Sequence, residues 1–320
     1  MNAITTDIVA DPHDAIRAEV RQIMEAEGLS QAAIAKECGI AYGTFTPWMG
    51  ATYQGDNNRI SAAVTRWLET RRSRVRTAAV LPTAPDFVST ETAVQIGELM
   101  SYAQAAPDFG VVVGGAGIGK TTAIEQYARR HSNVHVMTAE PTLSRPNNML
   151  SELADIIGVV ERRSVWLSRA ITHRLRGSAG LVVIDEAQHL SSQALDQLRT
   201  IHDKARIGVV VVGNESVFAR LQGGGDRNAQ FAQLYSRVGM RIVQPKPRAG
   251  DICALIRAWG IESERETALL KAIARKHGAL RALTKTVRLA SMLAAGAEQP
   301  LSDRHIRLAW SQLAADAIDA

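Results

Sequence analysis

The sequence predicts an α/β fold: a parallel sheet with helices between its strands, an all-α segment before it and a helical segment after it. Three observations carry this. Short, uniformly apolar runs at residues 109–113, 181–184 and 209–212 alternate with helix-length amphipathic segments, the pattern of strands buried on both faces. A glycine-rich stretch, Gly114-Gly115-Ala116-Gly117-Ile118-Gly119-Lys120-Thr121-Thr122, joins the first of these runs to a helix-like segment. Before residue 87 and after Pro245 and Pro247 the pattern is purely helical.

Composition sets the class. The chain has 320 residues, 46% of them hydrophobic and 22% charged, so it can bury one large core or several smaller ones. No apolar run approaches the roughly 20 residues of a membrane helix, and the N-terminus, with Asp7, Asp11 and Asp14, lacks the basic and apolar parts of a signal peptide. The expected compartment is the cytoplasm. Cys38 and Cys253 are far apart, and no histidine shows metal-ligand spacing, so neither a disulfide framework nor a cysteine or histidine metal site is expected. A net charge of +5 permits a polyanionic partner without demanding one.

In chain order, residues 12–28 form an amphipathic helix (Ile16, Val20, Ile23, Met24) that stops at Gly28. A short helix capped by Ser30 and ended by Gly39 follows, then a second over residues 41–49; Ala33 sits where they cross, and Ile34, Ile40 and Phe45 supply core. This is a helix-turn-helix pattern. Its second helix is unusual, since Gly43 and Pro47 are poor helix formers and it holds no Arg, Lys, Asn or Gln to read a base edge. Tyr42, Thr44, Thr46 and the nearby Arg59 remain as candidate contacts to phosphates or thymine methyls, against a protein-docking or purely structural role. A helix over residues 59–72 leads through Arg71, Arg72, Arg74 and Arg76 to a Pro-punctuated connector. The Arg run reads either as a solvated helix end or as a clamp on a nucleic-acid backbone. The expected domains are residues 1–76, a connector at 77–86, a nucleotide-binding core at 87–246 and a helical lid at 247–320.

Within the core, Gly114, Gly119, Lys120 and Thr121 satisfy the spacing of a phosphate-binding loop between a strand and a helix. Backbone N–H groups of such a loop close on phosphate oxygens where no Cβ intrudes, and the next helix presents its positive end. Lys120 is expected on the β- and γ-phosphates and the Thr121 hydroxyl on Mg²⁺. Strand 181–184 ends in Asp185-Glu186, at the same end of the sheet as the loop. In this Walker B arrangement Asp185 holds Mg²⁺ through its water shell and Glu186 orients or deprotonates the attacking water. Strand 208–213 ends at Asn214, either a sensor of the γ-phosphate or an ordinary turn residue. A helix is expected over 228–235 and a last strand over 240–243. Arg237 just before that strand is a candidate arginine finger for a neighbouring subunit's nucleotide, with Arg227 and Arg241 as alternatives and a plain surface arginine as the bland one. Four lid helices follow, and Arg281, near a helix start in Gly278-Ala279-Leu280-Arg281, is placed to lean onto the phosphates.

The phosphate loop, Asp185-Glu186, Asn214, Arg237 and the Gly-Ala-Leu-Arg of the lid together resemble the AAA+ ATPases of the transposon-regulator branch, and in particular the B-protein family of Mu-like transposable phages. The N-terminal module with Tyr53-Gln54-Gly55-Asp56-Asn57 and Arg66-Trp67-Leu68-Glu69, the connector and His277-Gly278-Ala279-Leu280-Arg281-Ala282-Leu283 extend the resemblance over nearly the whole chain. It implies an AAA+ P-loop core that uses ATP and Mg²⁺, binds double-stranded DNA with little sequence preference, polymerises as a helical filament and delivers target DNA to a transposase that stimulates hydrolysis and release. Arg145, Arg162 and Arg163 are then candidate filament-lining contacts to DNA. The alternatives are a helicase loader or replication initiator, and a signalling or secretion ATPase that does not bind DNA.

Overall fold

In a computed structural model of the chain, residues 11–80, 82–216 and 238–314 are described. The chain divides into two compact units, Met1–Pro82 and Thr83–Ala320.

The first unit is built from α1 (Asp14–Glu27), α2 (Gln31–Cys38), α3 (Tyr42–Met49) and α4 (Asn57–Val80). Gly28 ends α1 in the left-handed region at φ 66°, and the Ser30 hydroxyl caps α2 by accepting from the Ala33 N–H at 3.2 Å. Helix α3 forms with Pro47 inside it. An interior proline costs about 3 kcal/mol, but α3 buries Phe45, Trp48 and Met49, each worth roughly 1.5–3 kcal/mol, so burial wins. At the α2–α3 crossing Ala35 is the buried alanine and Ala33 is only half-buried. Helix α4 does not stop at residue 72 but runs to Val80, because no glycine or proline interrupts it before Pro82. Val20, Ile34, Phe45, Trp48, Val64 and Trp67 form the core of this unit. Arg17 is buried there, its Nε–H donating to the Trp48 carbonyl at 2.6 Å and Nη1 pairing with Asp11 at 2.5 Å and Asp14 at 3.0 Å.

The second unit opens with α5 (Glu91–Ala105), capped by Thr90. Next come β1 (Phe109–Gly114), α6 (Lys120–Arg130), β2 (Val134–Thr138), α7 (Pro146–Ile157), α8 (Ser164–Leu175), β3 (Leu181–Asp185), α9 (Ser192–Ala205), β4 (Gly208–Gly213) and β5 (Val238–Gln244). The strands pair in parallel in the order β2-β3-β4-β1-β5. The apolar strands serve two cores at once. Val111, Val182, Ile184, Val209 and Val211 face one helical layer, whereas Val112, Val183, Val210 and Val212 face the other with Ile96 and Leu99 of α5. Helices α10 (Ala249–Ala258), α11 (Glu264–Ala274), α12 (Ala279–Gly296) and α13 (Asp303–Leu313) close around their own core, centred on Leu270, Leu283, Val287 and Ile306. The expected helix at 228–235, Arg227 and Arg237 lie outside the described residues. No described helix is long and apolar enough to cross a membrane.

Candidate nucleotide site

Strand order places the chemistry. β1 lies between β4 and β5, so its C-terminal end, where the glycine-rich loop begins, opens beside the end of β4 and one strand away from that of β3. Gly117 and Gly119 adopt φ of 79° and 95°, which an L side chain rarely takes. A Cβ on Gly115 would meet the Pro245 carbonyl oxygen at 2.2 Å, and one on Gly117 the Gly278 carbonyl oxygen at 2.1 Å. The loop is thus wedged between the end of β5 and the turn that starts α12. Ile118 is buried under it, so that residue offers a ligand only its backbone.

The loop lines a cavity of about 580 Å³. Ala116, Gly117, Ile118, Gly119, Lys120, Thr121 and Thr122 form one wall, and Glu186 and Arg281 also face it. Phe87 and Val88 ahead of α5 and Leu255 and Leu280 of the lid also line it. The lining thus combines backbone N–H groups and charged side chains with apolar ones, the mixture a nucleoside phosphate requires.

Lys120 donates to the Gly114 and Gly115 carbonyls at 2.9 and 2.8 Å. Burial lowers its pKa, Glu186 and Asp185 oppose that shift, and the positive charge of Arg281 adds to it, so all four groups share one electrostatic site. The Thr121 hydroxyl donates to Asp185 Oδ2 at 2.7 Å, while Asp185, almost fully buried, accepts the Glu186 N–H on Oδ1 at 2.8 Å. Hydroxyl and carboxylate oxygens at this separation are the hard donors that suit Mg²⁺, which prefers few protein ligands and keeps waters and phosphate oxygens.

Asn214 holds a turn of its own. It lies at the end of β4, but its side-chain oxygen accepts from the Ser216 N–H and hydroxyl at 3.0 and 2.7 Å, and it is not among the residues lining the cavity. Gln188, which the sequence did not single out, donates to the Glu186 carboxylate and accepts the Asn214 N–H at 3.3 Å.

The candidate nucleic-acid contacts fall in both units. Tyr42 and Arg59 are exposed and Thr44 is half-buried, but the Thr46 hydroxyl is buried without a hydrogen-bond partner, turned inward by the packing that holds α3. In the second unit Arg145 precedes α7 whereas Arg162 and Arg163 follow it, so the 12 residues of that helix hold them roughly 18 Å apart at 1.5 Å per residue. Arg162 pairs with Asp155 at 2.5 Å and Arg163 with Glu161 at 2.8 Å, the latter holding the Glu161 carboxyl down at about 2. Arg241 is exposed on β5, an edge strand.

A parallel sheet with this loop on β1 and paired acids at the end of β3 defines a P-loop ATPase, and residues 104–221 match the AAA domain family. Residues 236–313 match the family described as Mu B transposition protein, C terminal. The ATP-dependent target DNA activator B of Escherichia phage Mu is 39% identical over 303 residues, 94% of this chain and 96% of that protein. The Mu-like prophage FluMu DNA transposition protein B of Haemophilus influenzae is 34% identical over 271 residues, covering 84% and 93%. The chain belongs to the Mu B transposition protein family. Among solved structures, the Aeropyrum pernix ORC1 protein in complex with DNA superimposes with a TM-score of 0.53 at 18% identity, covering 74% of this chain and 69% of that one, a likeness of fold.

Proposed function

We propose that this ATPase binds double-stranded DNA with little sequence preference when loaded with ATP, assembles on it as a helical oligomer and delivers it as target to a transposase in the bacterial cytoplasm. Hydrolysis then releases it. The observation that carries this reading is the near full-length likeness to proteins named ATP-dependent target DNA activator B.

In this reading the loop from Gly114 to Thr122 wraps the triphosphate, with Lys120 on the β- and γ-phosphates and Arg281 reaching them from the lid. Thr121 and Asp185 hold Mg²⁺, which neutralises phosphate charge when bound. Glu186 takes the proton of the attacking water and the Asn214 amide nitrogen orients it. Arg237 acts in trans; a site completed by a neighbour's arginine turns over slowly alone, so ATP serves as glue between subunits until it is cleaved. Residues 1–76 form a helix-turn-helix domain joined through 77–86 to the ATPase core (87–246) and lid (247–320). Arg59, Arg145, Arg162 and Arg163 neutralise DNA backbone and the Tyr42 hydroxyl donates to a phosphate; the surface ion pairs of Arg162 and Arg163 are weak enough to exchange for phosphate.

The test is negative-stain microscopy of the protein with duplex DNA in ATP, a slowly hydrolysed analogue or ADP. Filaments are expected in the first two, none with Lys120→Ala, and persistent filaments without turnover with Glu186→Gln. Filaments of equal length in ADP would overturn the ATP-glue reading. Binding confined to one sequence would point to a replication initiator instead, and no DNA binding in any nucleotide state to a signalling or secretion ATPase.

A further inference from the structure

We infer that Gln188 is a positioning residue for hydrolysis: its amide sets the Glu186 carboxylate and ties it to the end of β4. The inference rests on the reading of Glu186 as the base.

Glu186 leaves β3 in the left-handed region, at φ 52° and ψ 35°, a strained conformation for a residue with a side chain. A single 3-10 turn, Ala187–His189, follows, closed by the His189 N–H on the Glu186 carbonyl and the Leu190 N–H on the Ala187 carbonyl, both at 3.1 Å. Ala187 and Leu190 are fully buried, so Gln188 projects from a turn anchored on both sides. The bonds to Glu186 and Asn214 admit one orientation of the amide. The Glu186 carboxylate only accepts and the Asn214 N–H only donates, so Nε2 faces the first and Oε1 the second. The amide thereby bridges the ends of β3 and β4, with Glu186 facing the cavity and Gln188 standing outside its lining.

A neutral donor at that place does two things. It pins the Oε2 oxygen of Glu186 and leaves the other carboxylate oxygen to accept the proton of the attacking water. It also supports the charged carboxylate without offering a competing base. Because the other end of the amide holds the backbone of Asn214, any movement of that strand end is passed to Glu186.

Two variants test this by steady-state ATP hydrolysis with duplex DNA. Gln188→Ala is expected to lower kcat about 10-fold to 100-fold, the scale of a reacting group misplaced by about 1 Å, with KM for ATP nearly unchanged. Gln188→Glu keeps the shape and the bond to the Asn214 N–H but sets a second carboxylate against Glu186, so kcat falls at neutral pH. Acidification protonates the introduced carboxyl, which then donates again, so the ratio of variant to parent kcat rises as pH falls. A side chain that merely fills space does not produce that pH response. Full activity of Gln188→Glu across the pH range, or a loss in either variant confined to KM, would refute the inference. Glu186→Gln is measured alongside: if it hydrolyses ATP normally, the reading of Glu186 fails. If it is inactive while Gln188→Glu is normal, only the role of Gln188 fails.

Discussion

Replacing Gly117 by alanine separates what the phosphate loop owes to its backbone conformation from what it owes to the lid. Gly117 and Gly119 both have positive φ, at 79° and 95°, so alanine at either stores backbone strain, about 1–3 kcal/mol. They differ in what the new methyl group meets. At Gly119 nothing lies within 4 Å, whereas at Gly117 it would stand 2.1 Å from the Gly278 carbonyl oxygen and 3.3 Å from Arg281 Cβ. Ordinary contact begins at 3.4 Å, so loop and lid must part by more than 1 Å, and neither backbone is a flexible side-chain tip that can swing aside. Strain alone at Gly119→Ala predicts ATP binding weaker by roughly 5-fold to 100-fold, since 1.4 kcal/mol is a factor of ten. Gly117→Ala adds a displacement of the loop from Arg281 and is expected to weaken binding by roughly a further 10-fold to 100-fold, the scale of one lost charged hydrogen bond of about 1.5–3 kcal/mol. Titration with a fluorescent ATP analogue, with thermal unfolding to establish that both variants fold, gives the comparison. Equal affinities for the two variants would refute the claim that the lid braces the loop.

Two further predictions follow from the same unit. Asp251, on the first lid helix α10, is completely buried and accepts from the Thr92 N–H at 3.2 Å, the Thr92 hydroxyl at 2.5 Å and the Arg248 N–H at 3.3 Å. Asp251→Ala strands these donors and is expected to lower the unfolding free energy by roughly 3 kcal/mol in denaturant titration; a loss under about 1 kcal/mol would show that the clasp between lid and α5 is dispensable. Lys120 has its pKa lowered, chiefly by burial. The unfolded state therefore binds more protons between that lowered value and the ordinary lysine value of about 10.4, so the lysine's unfavourable contribution to stability is relieved as pH rises through this window. Bound phosphate favours the charged amine, so ATP affinity is expected to fall as pH rises through the same window, and Lys120→Arg, charged throughout, to show a flatter profile by calorimetry.

Sequence pattern made much of the fold legible because it is local. The loop spacing, the Ser30 cap and Gly28 act within a few residues of themselves. Helix α5 is legible too, since Ile96, Leu99, Met100 and Ala103 recur at helical spacing behind the Thr90 cap. At Pro47 a local rule against the helix expected over residues 41–49 is overridden by the burial of Phe45, Trp48 and Met49. Arg17 reads as a solvated cation, and only the approach of the Trp48 carbonyl with Asp11 and Asp14 accounts for its burial.

From the sequence alone came a phosphate loop and two acids at strand ends, because both depend on residue types at fixed spacing along one segment. Tertiary structure decided which partners they meet. Thr121 reaches Asp185 because β1 and β3 end at the same edge, with β4 between them. The lid touches Gly117 because the turn before α12 folds back onto the loop. Gln188 can join Glu186 to Asn214 only once β3 and β4 pair, and no spacing along the chain encodes that contact between segments roughly 26 residues apart.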